Sequence, residues 1–348
     1  MSQTKFQSAV LIGYGSIGAY HARILNELYE RVAVVDKNPT ARDACKATYP
    51  NVTTVSDLTE LAKIDWPWHQ TLGVIATWGI SHSTIFHQLI GLGVRKILCE
   101  KPLAHSMKAG AEMVKAAKEH NVAFANHIQR QYSGFVESLQ KKAAKLEMGL
   151  PCAMVVQGGA SGLVTNGIHY LALANSLFGK APDWVSSTAE GLPINPRSPN
   201  LMFFGGTATW SYGQGRELTM TMTNLSSISL DNSIYYRDAK VRLLRNLEIE
   251  IGMRDPEQLK QYPVITRLGG ASVEVATGSL PGVINGEECT KLMIQEIEAG
   301  EIRIYPPESA LDTLSACIGA LSSGKTGERI TLPMDPNSEL GCTEWPIS

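Results

Sequence analysis

The stretch Ser8-Ala-Val-Leu-Ile-Gly-Tyr-Gly-Ser-Ile-Gly18 decides the fold of the first part of this 348-residue chain. An apolar run leads at once into Gly13, Gly15 and Gly18, spaced G-x-G-x-x-G. A helix-compatible segment follows, Ala19 to Tyr29, and then a second apolar run, Arg31 to Val35, that ends in Asp36. Strand, glycine turn, helix, strand and acid in that order read as a dinucleotide cradle. Gly13 permits a tight turn, Gly15 lets backbone approach a pyrophosphate, and Gly18 lets the helix pack closely on the sheet. The turn residues Tyr14, Ser16 and Ile17 carry the backbone and the helix N-terminus that face the phosphates. Asp36 lies 18 residues beyond Gly18, near the roughly 20-residue spacing of the acid that binds the adenosine ribose hydroxyls. A carboxylate there repels a 2′-phosphate, so NAD is expected over NADP, with Lys37 offsetting part of the repulsion.

The alternation continues outward from this unit. Helices are expected over Thr40–Tyr49, Ser81–Leu92 and Ser106–Glu119, with a short helical piece at Leu58–Lys63. Strands are expected at Asn51–Thr54, Leu72–Ala76, Arg95–Cys99 and Val122–Ala125. Strands alternating with helices of this length imply a doubly wound parallel sheet covered on both faces. The expected division is a Rossmann domain over 1–125 and an α+β domain for substrate binding and oligomerisation over 126–348.

Beyond residue 126 the pattern changes. A helix from about Gly134 to Met148 precedes a strand at Cys152–Gln157, and Asn166–Phe178 reads as a helix stopped by Gly179. Alternating, β-branched stretches follow at Asp183–Thr188, Phe203–Tyr212, Glu217–Thr223 and Lys240–Leu244, and helices return at Glu287–Ala299 and Ser309–Ser322. Consecutive strands with few helices between them suggest a large, open, mostly antiparallel sheet. Such a sheet needs cover on both faces, which suggests helices on one and a partner subunit on the other, as a homodimer or homotetramer.

Bulk properties exclude several classes. A formal charge of −2 offers no basic field for nucleic acid or an anionic membrane. Hydrophobic content of 44% with 18% charged residues is that of a globular protein. No apolar run approaches the ~18 residues of a membrane span, and the N-terminus shows no signal-peptide pattern. Cys45, Cys99, Cys152, Cys289, Cys317 and Cys342 lack C-x-x-C spacing. They read as free thiols of a cytoplasmic protein, with no disulfide framework and no metal site.

In a doubly wound sheet, ligands bind at the C-terminal strand edge. Besides the glycine turn, that edge receives Thr77-Trp-Gly-Ile-Ser-His82 and Glu100-Lys101-Pro102. The Glu-Lys-Pro triplet after a Rossmann strand resembles the hallmark of the Gfo/Idh/MocA oxidoreductases, the family of glucose–fructose oxidoreductase and inositol dehydrogenase. Thr77 with His82 is similar to the family's Thr-Pro-x-x-x-His stretch, with Trp78 in place of the proline. Asn126-His-Ile-Gln-Arg130 is similar to the loop after the last Rossmann strand. Asn166-Gly-Ile-His169 resembles the helix start that carries a catalytic histidine, and Ala310 to Pro333 the closing helix and strand.

The resemblance implies a chemistry. Lys101 would contact the cofactor and the reacting oxygen, and His169 would be general base in oxidation and acid in reduction. Thr77, Trp78, His82 and Glu100 would line the cofactor. Asn126, Arg130, Thr165 and Asn166 would lie toward the substrate, with Arg130 suited to a carboxylate or phosphate. Pro102 would follow a cis peptide bond. Many relatives carry an Asp four residues before the histidine; Thr165 stands there and cannot take a proton at neutral pH. Tyr132 could also reach the substrate. His127 reads as a surface histidine, His21 as structural, and Trp66 and Trp68 as either core or a lid over adenine.

The expected activity is hydride transfer between NAD and a secondary hydroxyl, or the matching ketone, of a sugar, cyclitol or nucleotide-sugar. Nicotinamide is expected at a cleft between the two domains, and surface-glycan biosynthesis is a setting suggested by the Asn-Gly-x-His form. Two alternatives stand beside it: NAD-assisted elimination or glycoside cleavage through a transient oxidation, and an NAD-sensing regulator without catalysis.

Overall fold

The computed structural model describes residues 5–159, 161–192, 201–223, 225–228, 231–244, 247–261 and 272–347. From the N-terminus the elements are β1 (Phe6–Ile12), α1 (Ser16–Leu28), β2 (Tyr29–Val35), α2 (Pro39–Thr48), β3 (Thr53–Val55) and α3 (Leu58–Leu61). Next come β4 (Thr71–Ile75), α4 (Gly79–Gly91), β5 (Lys96–Cys99), α5 (Met107–Glu119) and β6 (Ala123–Asn126). The middle of the chain forms α6 (Phe135–Lys145), β7 (Pro151–Gly159), α7 (Gly167–Phe178), β8 (Trp184–Ser187), β9 (Glu190–Leu192), β10 (Phe203–Ser211) and β11 (Glu217–Thr223). It continues with β12 (Asp231–Tyr236), β13 (Ala239–Leu243), β14 (Glu248–Arg254), α8 (Pro256–Gln261) and β15 (Ser272–Ser279). The last elements are α9 (Gly286–Ala299), α10 (Pro307–Thr326), β16 (Ile330–Thr331) and α11 (Glu339–Cys342).

Two compact units result: 1–132 with 286–314 and 335–348, and 133–285 with 315–334. They cut the chain differently from a single boundary at 125/126. Helix α9, from the last fifth of the sequence, belongs with the N-terminal sheet. The physical reason is its apolar face: Met293, Ile294 and Ile297 are fully buried, in a helix that packs on β5 and β6. A linear reading has no means of assigning that face to a distant sheet.

The first unit holds a six-stranded parallel sheet in the order β3-β2-β1-β4-β5-β6. Its strands are near-continuous apolar runs because helices cover both faces. Ala9, Val10 and Leu11 in β1, and Ala33 and Val34 in β2, are fully buried. The order reverses between β1 and β4, which makes their carboxyl ends the switch point where such sheets bind ligands. Helices α2 and α5 start at side-chain caps: the side chain of Asn38 accepts from Thr40 N–H, and that of Ser106 from Ala109 N–H.

The second unit is built on a ten-stranded sheet, β15-β14-β13-β12-β7-β11-β10-β8-β16, with β9 paired to β10. Neighbours are antiparallel except β7 and β11, which run parallel. Alternation sets its faces: Leu218, Met220 and Met222 are buried, while Thr219, Thr221 and Thr223 between them are half-buried on the opposite side. The threonines pair across strands, Thr207 with Thr221 at 3.0 Å and Thr209 with Thr219 at 3.2 Å. Trp210, buried in β10, donates its indole N–H to the Ala316 carbonyl at 2.9 Å.

The expected fold class is the observed one. Strands β9, β12, β14 and β15 go beyond the expected set. In β14 the Glu-Ile-Glu-Ile alternation places Ile249 and Ile251 in the core, a period-2 signal legible in the sequence.

Candidate functional site

The glycine turn is locked on three sides. Gly13 sits at φ +95° and donates its N–H to the Val35 carbonyl at 2.8 Å. A Cβ there would come within 2.7 Å of the Ala76 carbonyl oxygen, and one on Gly18 within 2.1 Å of the Gly13 oxygen. Nothing lies within 4 Å of the Cβ position of Gly15. Its missing side chain therefore serves open space above the N-terminus of α1, where Ser16 and Ile17 are exposed, with Tyr14 half-buried beside them. An anion fits that geometry without further adjustment.

Asp36 closes the turn. Its Oδ2 accepts the Tyr14 N–H at 2.7 Å and its Oδ1 the Asn38 N–H at 2.8 Å. The Arg42 guanidinium donates to the Asp36 carbonyl at 2.7 Å and the Lys37 carbonyl at 3.1 Å. A carboxylate oxygen has more than one acceptor site, so both bonds leave capacity for ribose hydroxyls.

At the end of β4, Thr77 is half-buried and receives the Ser81 hydroxyl at 2.7 Å. Trp78, the N-cap residue of α4, is 42% exposed. His82 is fully buried. Its Nδ1 lies 2.9 Å from the Pro102 carbonyl and its Nε2 3.1 Å from the Thr77 carbonyl. His82 thus ties two loops together from within the core, a different placement from the cofactor-lining one expected. Burial pushes its pKa down.

The Glu-Lys-Pro segment is held in the same manner. Glu100 is buried, and its Oε1 stands 2.8 Å from both His21 Nε2 and His127 Nδ1. Its Oε2 accepts the Lys101 N–H at 3.2 Å. Burial pushes the Glu100 carboxyl up, but the two imidazoles outweigh it and hold the pKa well below the usual range. His21 is shifted down by burial despite its bond to Glu100. Asn126 spends its side-chain N–H groups on the carbonyls of Cys99 and Glu100, both at 3.0 Å. The Lys101–Pro102 peptide is cis, as the resemblance implies.

His127 is 6% exposed, which corrects its reading as a surface histidine. Its Nε2 meets the Thr290 hydroxyl of α9 at 2.9 Å. His21 carries a signal that a sequence reading can use. It lies on the stripe Gly18, His21, Ala22, Leu25 that α1 buries, and a polar residue on such a stripe needs a buried partner. His21, Glu100 and His127 form the cluster among the described residues with metal-ligand character. Their spacing is that of hydrogen bonds around one carboxylate oxygen. Tyr132 is buried and donates to Glu296 at 2.8 Å, so it serves the core. Trp66 is buried with the Arg31 guanidinium 4.7 Å from its ring centre. Arg130 is half-buried.

In the second unit, His169 lies half-buried in the first turn of α7. The approach to that helix is a tied loop. Leu163 N–H bonds the Phe204 carbonyl at 2.8 Å, and the Asn166 side-chain oxygen accepts Gly162 N–H at 3.2 Å. Asn166 therefore closes the loop, and Thr165 is buried within it. Gly167 packs closely on the sheet: a Cβ there would come within 2.6 Å of the Met220 sulfur and would displace that side chain.

Residues 8–127 match a known family profile, described as an oxidoreductase family with an NAD-binding Rossmann fold (GFO/IDH/MocA). The N-terminal domain belongs to the Gfo/Idh/MocA oxidoreductases. It is an NAD-binding domain, and the glycine turn with Asp36 fits that cofactor. No curated protein sequence matches the chain. Solved structures resemble it over nearly its whole length. GenD2 from gentamicin A biosynthesis, in complex with NAD, is 17% identical with a TM-score of 0.72, covering 95% of this chain and 97% of that one. Levoglucosan dehydrogenase, in complex with NADH and levoglucosan, is 16% identical with a TM-score of 0.73, covering 94% and 100%. The WlbA dehydrogenase from Bordetella pertussis, in complex with NADH and UDP-GlcNAcA, is 19% identical with a TM-score of 0.69, covering 95% and 100%. At these identities the likeness establishes the shared fold of both domains. Among the described residues, no helix is long and apolar enough to cross a membrane.

Proposed function

We propose that this chain is an NAD-dependent oxidoreductase that transfers a hydride between nicotinamide and a secondary hydroxyl, or the matching ketone, of a sugar, cyclitol or nucleotide-sugar. The observation that carries the reading is Glu100-Lys101-Pro102. It is held by buried side chains at the carboxyl edge of the parallel sheet, in a domain of an oxidoreductase family. The similar structures bound to levoglucosan and to UDP-GlcNAcA support a sugar-type substrate.

Bound NAD supplies the hydride acceptor. The glycine turn at Gly13, Gly15 and Gly18 holds its pyrophosphate, and Asp36 holds the adenosine ribose and favours NAD over NADP. Lys101 hydrogen-bonds the reacting oxygen and stabilises its alkoxide character. His169 takes the hydroxyl proton in oxidation and returns it in reduction. Thr165 cannot share that role, so Lys101 and His169 carry the proton and charge handling. Among the described residues no disulfide joins any of the six cysteines, which suits a reducing cytoplasm. The half-buried threonine face of the ten-stranded sheet is the proposed contact with a second copy.

The test mixes purified protein with NAD and a panel of sugars, cyclitols and nucleotide-sugars, and follows the near-ultraviolet absorbance of reduced nicotinamide. Growth with one substrate class is expected. It should fall by about 100-fold or more in Lys101→Ala and His169→Ala, with NAD binding retained. Undiminished turnover in Lys101→Ala ends the reading. Product formation from a panel member without net NADH points instead to transient oxidation.

A further inference from the structure

The Glu of the Glu-Lys-Pro triplet faces the protein interior. Glu100 has little exposure, and its carboxylate meets His21 from α1, His127 from the chain after β6, and the backbone N–H of Lys101. The two imidazoles reach the same oxygen from different elements, with ring centres 4.8 Å apart and nearly perpendicular. His127 is itself held by Thr290, whose hydroxyl lies 2.9 Å from the Tyr20 phenol and donates to the Gly286 carbonyl at 3.0 Å. A buried carboxylate with this many donors is fixed in place, because rotating it would leave N–H groups without an acceptor in a medium that does not forgive the loss.

We propose that His21 and His127 are positioning residues that act on Lys101 through Glu100. Together they clamp the carboxylate that receives the Lys101 N–H, and so set the direction in which that lysine leaves the sheet edge. Asn126 supports the same segment from the other side by holding the Cys99 and Glu100 carbonyls. The inference rests on the proposed role of Lys101 in turnover. It adds that the lysine's placement depends on two histidines buried inside the N-terminal unit. Supporting shells of this kind decide how well a reactive side chain is aimed.

The two histidines present different nitrogens to Glu100, which gives a specific test. His21 uses Nε2, and a glutamine amide nitrogen stands the same number of bonds from Cβ. His127 uses Nδ1, which an asparagine amide nitrogen matches. His21→Gln and His127→Asn therefore keep the donor where Glu100 needs it, whereas the exchanged pair His21→Asn and His127→Gln displaces it by one bond. Two readouts apply: turnover with the panel substrate, and competitive acetylation of Lys101 read by mass spectrometry, with exposed Lys115 and Lys141 as internal standards. The second needs no substrate.

The matched variants should retain most of the turnover and the native Lys101 labelling. The exchanged variants should lose about 100-fold in kcat, the scale of an ångström of misplacement, with NAD affinity little changed and with Lys101 labelling raised severalfold against the standards. Equal labelling and equal turnover in matched and exchanged variants would overturn the proposal. Should the exchanged variants fail to fold, the replacement of the whole cluster by His21→Leu, Glu100→Met and His127→Leu takes their place, since apolar substitution of a complete buried ionic group is often tolerated. That protein should bind NAD and leave Lys101 misdirected; native labelling in it would also overturn the proposal. Normal turnover in Lys101→Ala would sink the functional reading alone, while the labelling comparison would still decide the positioning.

Discussion

Nε2 of His21 and Oε1 of Glu100 stand 2.8 Å apart inside the N-terminal unit, with the histidine side chain 1% exposed. The distance joins the glycine turn's helix to the Glu-Lys-Pro strand end. Replacing Glu100 by leucine removes the acceptor from His21, His127 and the Lys101 N–H at once. Leaving buried donors without their carboxylate costs about 1–3 kcal/mol for each group stranded. Urea unfolding of Glu100→Leu is expected to show a loss of that order. A loss below about 1 kcal/mol would mean that the cluster relaxes at little cost.

Acid should weaken the fold through the same residues. Burial, opposed by the weaker pull of Glu100, holds folded His21 below its ordinary 6.5, so the unfolded chain takes up the proton first as pH falls. Folded Glu100 lies well below 4.5, because His127 and His21 outweigh the upward effect of burial; its contribution is present above 4.5 and is lost as pH falls through the folded value. Both act in one direction. Stability is expected to hold near neutrality and to decline below about pH 6.5, with up to about 1.4 kcal/mol per pH unit for each proton taken up on unfolding. A urea titration repeated across pH measures the slope. His21→Gln should flatten its upper part; an identical slope in that variant would remove His21 as a source.

The N-terminal architecture is legible in the sequence because each signal there is local. Apolar runs, the glycine spacing and caps such as Asn38 and Ser106 all act within a few residues. The Glu100 cluster is a different kind of fact. Its members come from positions 21, 100 and 127, and its outer support from Thr290. Only the packing of α1 and α9 on the sheet brings them together. From the sequence alone His127 reads as a surface residue, because nothing beside it in the chain reveals a buried carboxylate partner. His82 and Asn126 were legible as belonging to the site region, but their hydrogen bonds to backbone carbonyls depend on tertiary contacts between strand ends. Asn166, likewise, closes its own loop onto Gly162.

Gly15 and Gly18 separate two reasons for a glycine. A Cβ on Gly18 would lie 2.1 Å from the Gly13 oxygen, while nothing lies within 4 Å of one on Gly15. Gly18→Ala is therefore expected to push α1 off the turn and lower the thermal midpoint, with NAD binding lost as well. Gly15→Ala should keep the midpoint and lose NAD affinity by about tenfold or more, because its added methyl occupies only the space the pyrophosphate needs. Calorimetry for both unfolding and NAD binding distinguishes the two. Native NAD affinity in Gly15→Ala would show that the pyrophosphate does not approach that atom.

Asp36 combines a structural and a recognition role, and one substitution can divide them. Its two oxygens hold the Tyr14 and Asn38 N–H groups at 2.7 and 2.8 Å, so the carboxylate cannot turn away from a ribose placed beside it. Asp36→Asn keeps one carbonyl acceptor but loses the charge and replaces an acceptor with a donor. NAD affinity is expected to fall by about tenfold, the scale of one lost hydrogen bond to a charged group. NADP affinity should fall less or rise, because the repulsion of a 2′-phosphate is gone and Lys37 and Arg42 remain close to the same backbone. Fluorescence titration with both dinucleotides gives the ratio. A ratio unchanged from the native protein would show that Asp36 only braces the turn and that cofactor choice is made elsewhere.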